Sequence, residues 1–389
     1  MSVPRCHVML RLVAPALCAL LAGGCGTAYV EHLSRTDSPA RCMLPAPQHD
    51  LLVGVALSGG GSRAALYVAA SLEALAKIRV APDGCSLLEH VSYLSSVSGG
   101  SLAATYFAMK KPPRDVPVLE ASGELTDAYR KFFKGVREAM QKDYEWPTLV
   151  RQVTRLRLFN PSKAATSVAE VSDERFLHGA TLADLYRRER EGDSPRLIIN
   201  TALYNNGRRF VMTTLPRSAF QYDVVTQLQQ TLEARGRDTG RTVDALPPLL
   251  RAQSTLLPAT FEDLHADRCE VPLSKAVAAP ASFPTFIGPV TVQIGDAQPY
   301  WHAGDGGLFD NQGTESLVQA FLQQLRDGTA RCALIIALDS SFPFSVGNER
   351  LDRTERGFAF CKARASCLRT PRRSRCWSFA TPMRNGAKT

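Results

Sequence analysis

Three short segments of the chain set glycines beside residues able to do nucleophilic or acid–base work. The first is Leu57-Ser58-Gly59-Gly60-Gly61-Ser62-Arg63-Ala64. Glycines let backbone N–H groups approach a ligand closely, and a helix opening there adds a positive partial charge. Such a turn suits an anionic group, either a phosphate or the oxyanion of acyl transfer. The pattern GxxxxGK(S/T) is absent from it. Gly59 and Gly61 followed by Ala64 meet only the looser dinucleotide fingerprint, so nucleotide binding stays open on this segment alone. The second segment is Ser96-Val97-Ser98-Gly99-Gly100-Ser101, where Ser98 could sit on a sharp turn with its hydroxyl projected. A turn without chemistry is the plain alternative. The third is Gly304-Asp305-Gly306-Gly307-Leu308-Phe309-Asp310-Asn311, an acid in a glycine-rich loop, a pattern shared by turns and cation sites.

The elements that must hold these segments follow from periodicity. Residues 51–57 are a short apolar run, and the three- and four-residue spacing of Leu66, Ala69, Leu72, Leu75 and Ile78 predicts a helix over 64–78. A strand over 91–97 leads into a helix over 102–109. Strand–turn–helix units in succession indicate an α/β fold with a parallel or mixed sheet between helices. Residues 112–190 look helical, with Trp146 and Phe159 as packing anchors. A strand over 196–203 pairs with 209–213 across Asn205-Asn206-Gly207. Residues 217–260 are polar and helical, an insertion expected to cap the site. A small-residue helix near 273–281, a strand over 291–294, a loop over 304–313, a helix over 314–325 and a buried strand over 333–338 complete the pattern.

In this order the three segments resemble the patatin-like phospholipase family. Leu273-Ser274-Lys275-Ala276-Val277-Ala278-Ala279-Pro280-Ala281-Ser282-Phe283-Pro284 and Phe176-Leu177-His178-Gly179-Ala180-Thr181-Leu182-Ala183-Asp184-Leu185 are similar to further stretches of it. One departure is Ser96, where a glycine is usual. The resemblance implies a three-layer α/β/α fold with a mixed, largely parallel sheet and a helical cap. It implies a Ser98–Asp305 dyad working through an acyl-enzyme, without cofactor or metal. The oxyanion hole would draw on Gly59, Gly60, Gly61, Ser62 and Arg63. Arg63 would orient the loop or meet a substrate phosphate, and Phe283, Phe286, Leu308 and Phe309 are candidates for an acyl groove. The activity expected is that of a lipid acyl hydrolase of phospholipase A or lysophospholipase type. A non-catalytic lipid- or partner-binding protein on the same fold is the alternative. His302 could suggest a Ser-His-Asp triad, but no histidine follows Asp305, as the order of an α/β-hydrolase triad would need.

The N-terminus reads as an export signal: Arg5 and Arg11, then an apolar stretch over 12–22 too short to span a bilayer. Leu21-Ala22-Gly23-Gly24-Cys25 resembles the lipobox of bacterial lipoproteins, with Ala22 in place of the usual leucine. The resemblance implies lipidation at Cys25 and, with Gly26 following, an outer-membrane anchor facing the periplasm. Cys42, Cys85, Cys269 and Cys332 remain for the fold, an even number, though spacing does not reveal their pairing. The divisions expected are 1–24 signal, 25–48 tether, 49–345 catalytic domain and 346–389 basic tail. The net charge of +9 lies in residues 350–389, which hold nine Arg and two Lys against Asp352 and Glu355. The rest is neutral, so the fold has no basic balance for phosphate backbones and nucleic acid is not an expected partner. A solvated tail, a shifted reading frame or a surface patch would each give such a composition.

Overall fold

The computed structural model describes residues 28–340, except 37–40, 82, 158–159, 161–162, 223, 240–256, 283–286 and 297–298. The export signal, Cys25, Phe159, Phe283, Phe286 and the basic tail therefore lie outside the described residues.

Eight strands form one mixed sheet. Along the chain they are β1 (Val30–Leu33), β2 (Leu51–Leu57), β3 (Val91–Val97), β4 (Arg196–Leu203), β5 (Arg208–Thr213), β6 (Val290–Ile294), β7 (Trp301–Asp305) and β8 (Cys332–Leu338). The path runs β1-β6-β7-β4-β3-β2-β8, with β5 also on β4. The pairs β1–β6, β2–β3, β2–β8 and β3–β4 are parallel, and β5 and β7 run antiparallel to β4. The helices are α1 (Gly61–Ala76), α2 (Leu87–His90), α3 (Gly99–Lys110), α4 (Asp127–Gln141), α5 (Glu145–Thr154), α6 (Ala164–Ser172), α7 (Leu182–Glu191), α8 (Val224–Thr239), α9 (Leu273–Ala278) and α10 (Thr314–Arg326).

Alternate side chains of a strand face opposite ways, and the core divides accordingly. Val53, Val55, Leu57, Leu94, Leu197 and Ile199 pack with α1, α3, α4, α7 and α9. Leu52, Ala56, Tyr93 and Ile198 pack with Leu317, Ala320 and Phe321 of α10. Three layers result, α/β/α, with central strands buried on both faces as parallel strands require.

Three expectations change. The segment expected as a tether supplies β1 and buries Leu33 and Leu44, and Cys42 is disulfide-bonded to Cys269 with the Cα atoms 5.5 Å apart. Its few apolar residues, spaced by prolines, hide a strand that needs only β6 to complete it. The face of α1 also shifts: Ala65, Val68, Ala69, Leu72 and Leu75 are buried, whereas Leu66 and Ile78 are exposed. Alanines let α1 lie close to its neighbours, and the larger leucine is left outside. Of the helical insertion, the described part contacts α10, with Tyr222 beneath the Arg326 guanidinium at that helix's C-terminal end. Residues 240–256 of that insertion lie outside the described residues. Finally, β8 is an exposed edge, with Leu334 40% exposed, because β2 is its sole neighbour strand among the described residues.

Candidate active site

The sheet path brings two strand ends together beside β4. Strand β3 runs parallel to β4 and ends with Val97 opposite Asn200. Strand β7 arrives antiparallel and ends with Asp305 opposite Thr201. The two strands therefore meet head to head at adjacent positions of β4. Ser98 follows Val97 directly, so the register sets Ser98 and Asp305 side by side, from segments over 200 residues apart in the chain.

Ser98 has φ 49° and ψ −128°, a conformation L residues rarely adopt. It caps α3, whose twelve residues run back from the turn with their positive end at Ser98. Glycines follow because nothing larger fits. A Cβ at Gly99 would collide with Gly61 O, and one at Gly100 would lie 2.7 Å from both Leu57 O and Ser58 O. The serine turn and the triple-glycine turn are thus packed backbone on backbone. Ser96 is accommodated without disturbing the turn: it is fully buried and its hydroxyl donates to Ile198 O at 3.3 Å. Beneath it, Asn200 donates to Ser95 Oγ at 2.8 Å and Ser96 O at 3.0 Å, and accepts from Ser316 Oγ at 2.6 Å. These bonds tie β3, β4 and the start of α10 into one floor.

The triple-glycine turn leads from β2 into α1. Gly60 (φ 141°) and Gly61 (φ 62°) both need positive φ, which glycine adopts without a Cβ penalty. The N–H groups of Gly60, Gly61 and Ser62 stand at the opening of α1, where no preceding turn offers a carbonyl. Gly59 differs from the expected donor role, since its N–H already donates to Asn311 O at 2.9 Å. Ser62 Oγ donates to Glu145 Oε1 at 2.9 Å. Arg63 folds over the turn, its Nη2 3.3 Å from where a Gly60 Cβ would stand.

Asp305 is 6% exposed, and burial pushes its carboxyl up to about 6, opposed by the Gly307 N–H bond to Oδ1 at 2.8 Å. Its backbone N–H donates to Ser282 O at 3.1 Å and faces Tyr204 Oη at 3.3 Å. The expected loop over 304–313 is therefore a strand end followed by one 3₁₀ turn, which the Asp305 carboxylate caps. His302 faces away along β7, its Nδ1 3.0 Å from Thr291 Oγ1. Among the described residues no hydrogen bond joins Ser98 Oγ to the Asp305 carboxylate.

Two positioning residues have roles that the sequence alone does not assign, Asn311 of the third segment and Ser340. Asn311 lies between the loops: its carbonyl holds Gly59, and its Oδ1 would be 2.9 Å from a Cβ at Gly307. Its place after Asp-Gly-Gly was the available signal. Ser340, just past β8, donates from its N–H to Ser58 Oγ at 2.8 Å and from Oγ to Gly59 O at 2.8 Å, with the two hydroxyl oxygens 3.0 Å apart. Nothing in the sequence around it marks this brace. Leu308 and Phe309, expected in an acyl groove, are exposed beside Asp305. The arrangement offers a hydroxyl, a buried carboxylate and two helix N-termini around one point, which suits acyl transfer.

Among solved structures, human GIVD cytosolic phospholipase A2 is similar, with 18% identity over 42% of this chain and a TM-score of 0.27. The match spans 22% of that protein. No curated protein matches the chain. A sequence model of the family described as "Patatin-like phospholipase" matches residues 55–318, from the second strand to the middle of α10. The chain belongs to the patatin-like phospholipase family.

Proposed function

We propose that this lipid acyl hydrolase cleaves membrane phospholipid or lysophospholipid esters through Ser98 and Asp305. Ser98 Oγ attacks the ester carbonyl while Asp305 takes its proton. The N–H groups of Gly60, Gly61 and Ser62 face the oxygen that gains charge. Collapse releases the alcohol, which receives the proton from Asp305 and leaves the acyl group on Ser98. Water then gives a proton to Asp305 and attacks the acyl-enzyme, freeing the fatty acid and restoring Ser98. Arg63, folded over the glycine turn, steadies it or meets the substrate phosphate.

The observation that carries this reading is the head-to-head meeting of β3 and β7 on β4, with Ser98 in a left-handed turn. A fluorophosphonate probe should label Ser98, and Ser98→Ala should abolish both labelling and ester release. Undiminished ester release by that variant refutes the dyad. The lipobox-like sequence at Cys25 supports lipid anchoring in the outer membrane, facing the periplasm. The Cys42–Cys269 disulfide fits that oxidising compartment. Globomycin treatment of producing cells should then accumulate an unprocessed precursor.

A further inference from the structure

Helix α5 is inverted relative to an ordinary surface helix. Pro147, Thr148, Arg151 and Gln152 turn toward the protein, while Trp146, Leu149, Val150 and Val153 turn outward. The spacing of that outer set, three, one and three residues, makes one continuous stripe. Trp146 is 64% exposed, against the expectation that it anchors packing. Inward, Arg151 pairs with Glu170 and Glu174, and just past the helix end the half-exposed Arg155 pairs with Glu170. The helix is thus held by ion pairs on its polar side and leaves its apolar side without a partner among the described residues.

The start of α5 and the segment that follows its end both bear on what covers it. At its start, Glu145 holds Ser62 of the glycine turn at 2.9 Å. Across that turn, Asn311 holds Gly59, next to the exposed pair Leu308 and Phe309. At the far end, Tyr29 lies against Arg157 and Lys163, with their charged groups 5.0 Å and 4.7 Å from its ring centroid. Cys25 precedes Tyr29 by four residues in the sequence, a length of chain that spans at most about 14 Å when fully extended. The helix is about 15 Å long. A lipid on Cys25 would therefore hold the bilayer at one end of the stripe, and the catalytic turn lies at the other.

We propose that α5 is an interfacial helix whose stripe of Trp146, Leu149, Val150 and Val153 enters the surface of a phospholipid bilayer. With Leu308 and Phe309 on the opposite flank, it would set the mouth of the Ser98 site against the lipid. This rests on the reading of a lipid-anchored lipid hydrolase and adds the surface by which it docks. Arg151, Arg155 and Arg157 share Glu170, and Arg151 also meets Glu174, so a small positive excess remains beside the stripe; on zwitterionic phosphatidylcholine the apolar stripe then dominates and the salt dependence is weak.

The test uses the chain from residue 25 onward carrying Cys25→Ser, so that no lipid anchor contributes. It is mixed with phosphatidylcholine vesicles at low and high salt, and bound protein is measured by sedimentation. The Leu149→Asp/Val153→Asp variant should lose about tenfold or more in vesicle binding, since two apolar contacts are replaced by charges. Its hydrolysis of vesicle lipid should fall in parallel, with cleavage of a soluble short-chain ester unchanged. Independently of any folding effect in that variant, brominated phosphatidylcholine should quench the unmutated chain, and Trp146→Phe should remove most of the quenched emission. Unchanged vesicle binding in the double variant, or no quenching by brominated lipid, overturns the proposal. So does a change from dimer to monomer with vesicle binding intact, which would make the stripe a contact between two copies. If the unmutated chain cleaves neither substrate, the hydrolase reading fails, while sedimentation and quenching still decide the interface.

Discussion

A carboxylate of ordinary acidity is a poor base for a serine hydroxyl, and the burial of Asp305 narrows that gap. With its carboxyl near 6, the group still ionises below neutral pH. If the ionised form is the base, kcat/KM should fall about tenfold per pH unit below about 6, and a profile flat to pH 4 would exclude Asp305 from that role. The same burial has a stability cost of definite sign. The folded state holds the Asp305 proton more tightly than the unfolded chain, whose aspartates titrate near 3.8. This group's contribution is therefore most favourable below about pH 4, declines as pH rises toward 6, and is fully adverse above that. Asp305→Asn should abolish activity and stabilise the fold by about 2–3 kcal/mol at neutral pH, with little gain near pH 4. Urea unfolding of both forms at the two pH values reads the difference directly.

At the scale of elements, the site is a set of contacts between backbones that side chains cannot enter. Gly99 against Gly61 O is the tightest. Gly99→Ala should force the serine turn off the glycine turn, costing activity about 100-fold or more and several kcal/mol of stability, since the colliding atom is main chain. Ser340→Ala should act more narrowly: it removes the hydroxyl's bonds to Gly59 O and Ser58 Oγ and leaves the main-chain packing, so kcat should fall about tenfold with a loss of only about 1–3 kcal/mol of stability. Equal kcat in that variant would show that the glycine turn needs no brace from the end of β8. Much of this level was legible in sequence. The strands 91–97 and 196–203 and the Asn205-Asn206-Gly207 hairpin are local patterns; both strands appear with their expected bounds, and the returning strand starts one residue earlier, at Arg208. The order of the three segments was legible too, and the family it resembles is the one whose model matches residues 55–318. What was hidden depends on neighbours far along the chain. Trp146 looked like a core residue because large aromatics usually are, and nothing local shows that α5 turns its polar side inward. The apolar run of β8 reads as a buried strand, yet burial is set by what lies beside it in the sheet. Ser340 and Asn311 matter through contacts with Gly59, which no spacing rule connects to them.

At the scale of the whole molecule, the early chain is stitched to the later half. Strand β1 pairs with β6, Ser34 N–H donates to Glu270 Oε2 at 2.8 Å, and Cys42 is bonded to Cys269. The cysteines are 227 residues apart, so the bond restricts nearly the whole unfolded chain. On the loop-entropy account such a long closure stabilises by about 5 kcal/mol, with measured native disulfides commonly giving about 2–5. The effect acts on the unfolded state, and the bond joins a segment at the β1–β6 end of the sheet, away from Ser98. Cys42→Ser/Cys269→Ser should therefore lower unfolding stability by about 2–5 kcal/mol while leaving kcat on a soluble ester within about twofold. Reducing agent should reproduce the loss in the unmutated chain and have no further effect on the variant. Cys85 and Cys332 are exposed and unpaired, so they provide an internal control. A thiol reagent should modify both in the folded, oxidised protein without shifting its unfolding midpoint. If the double variant unfolds at the same denaturant concentration as the parent, the hydrogen bonds and β1 alone hold the early chain in place.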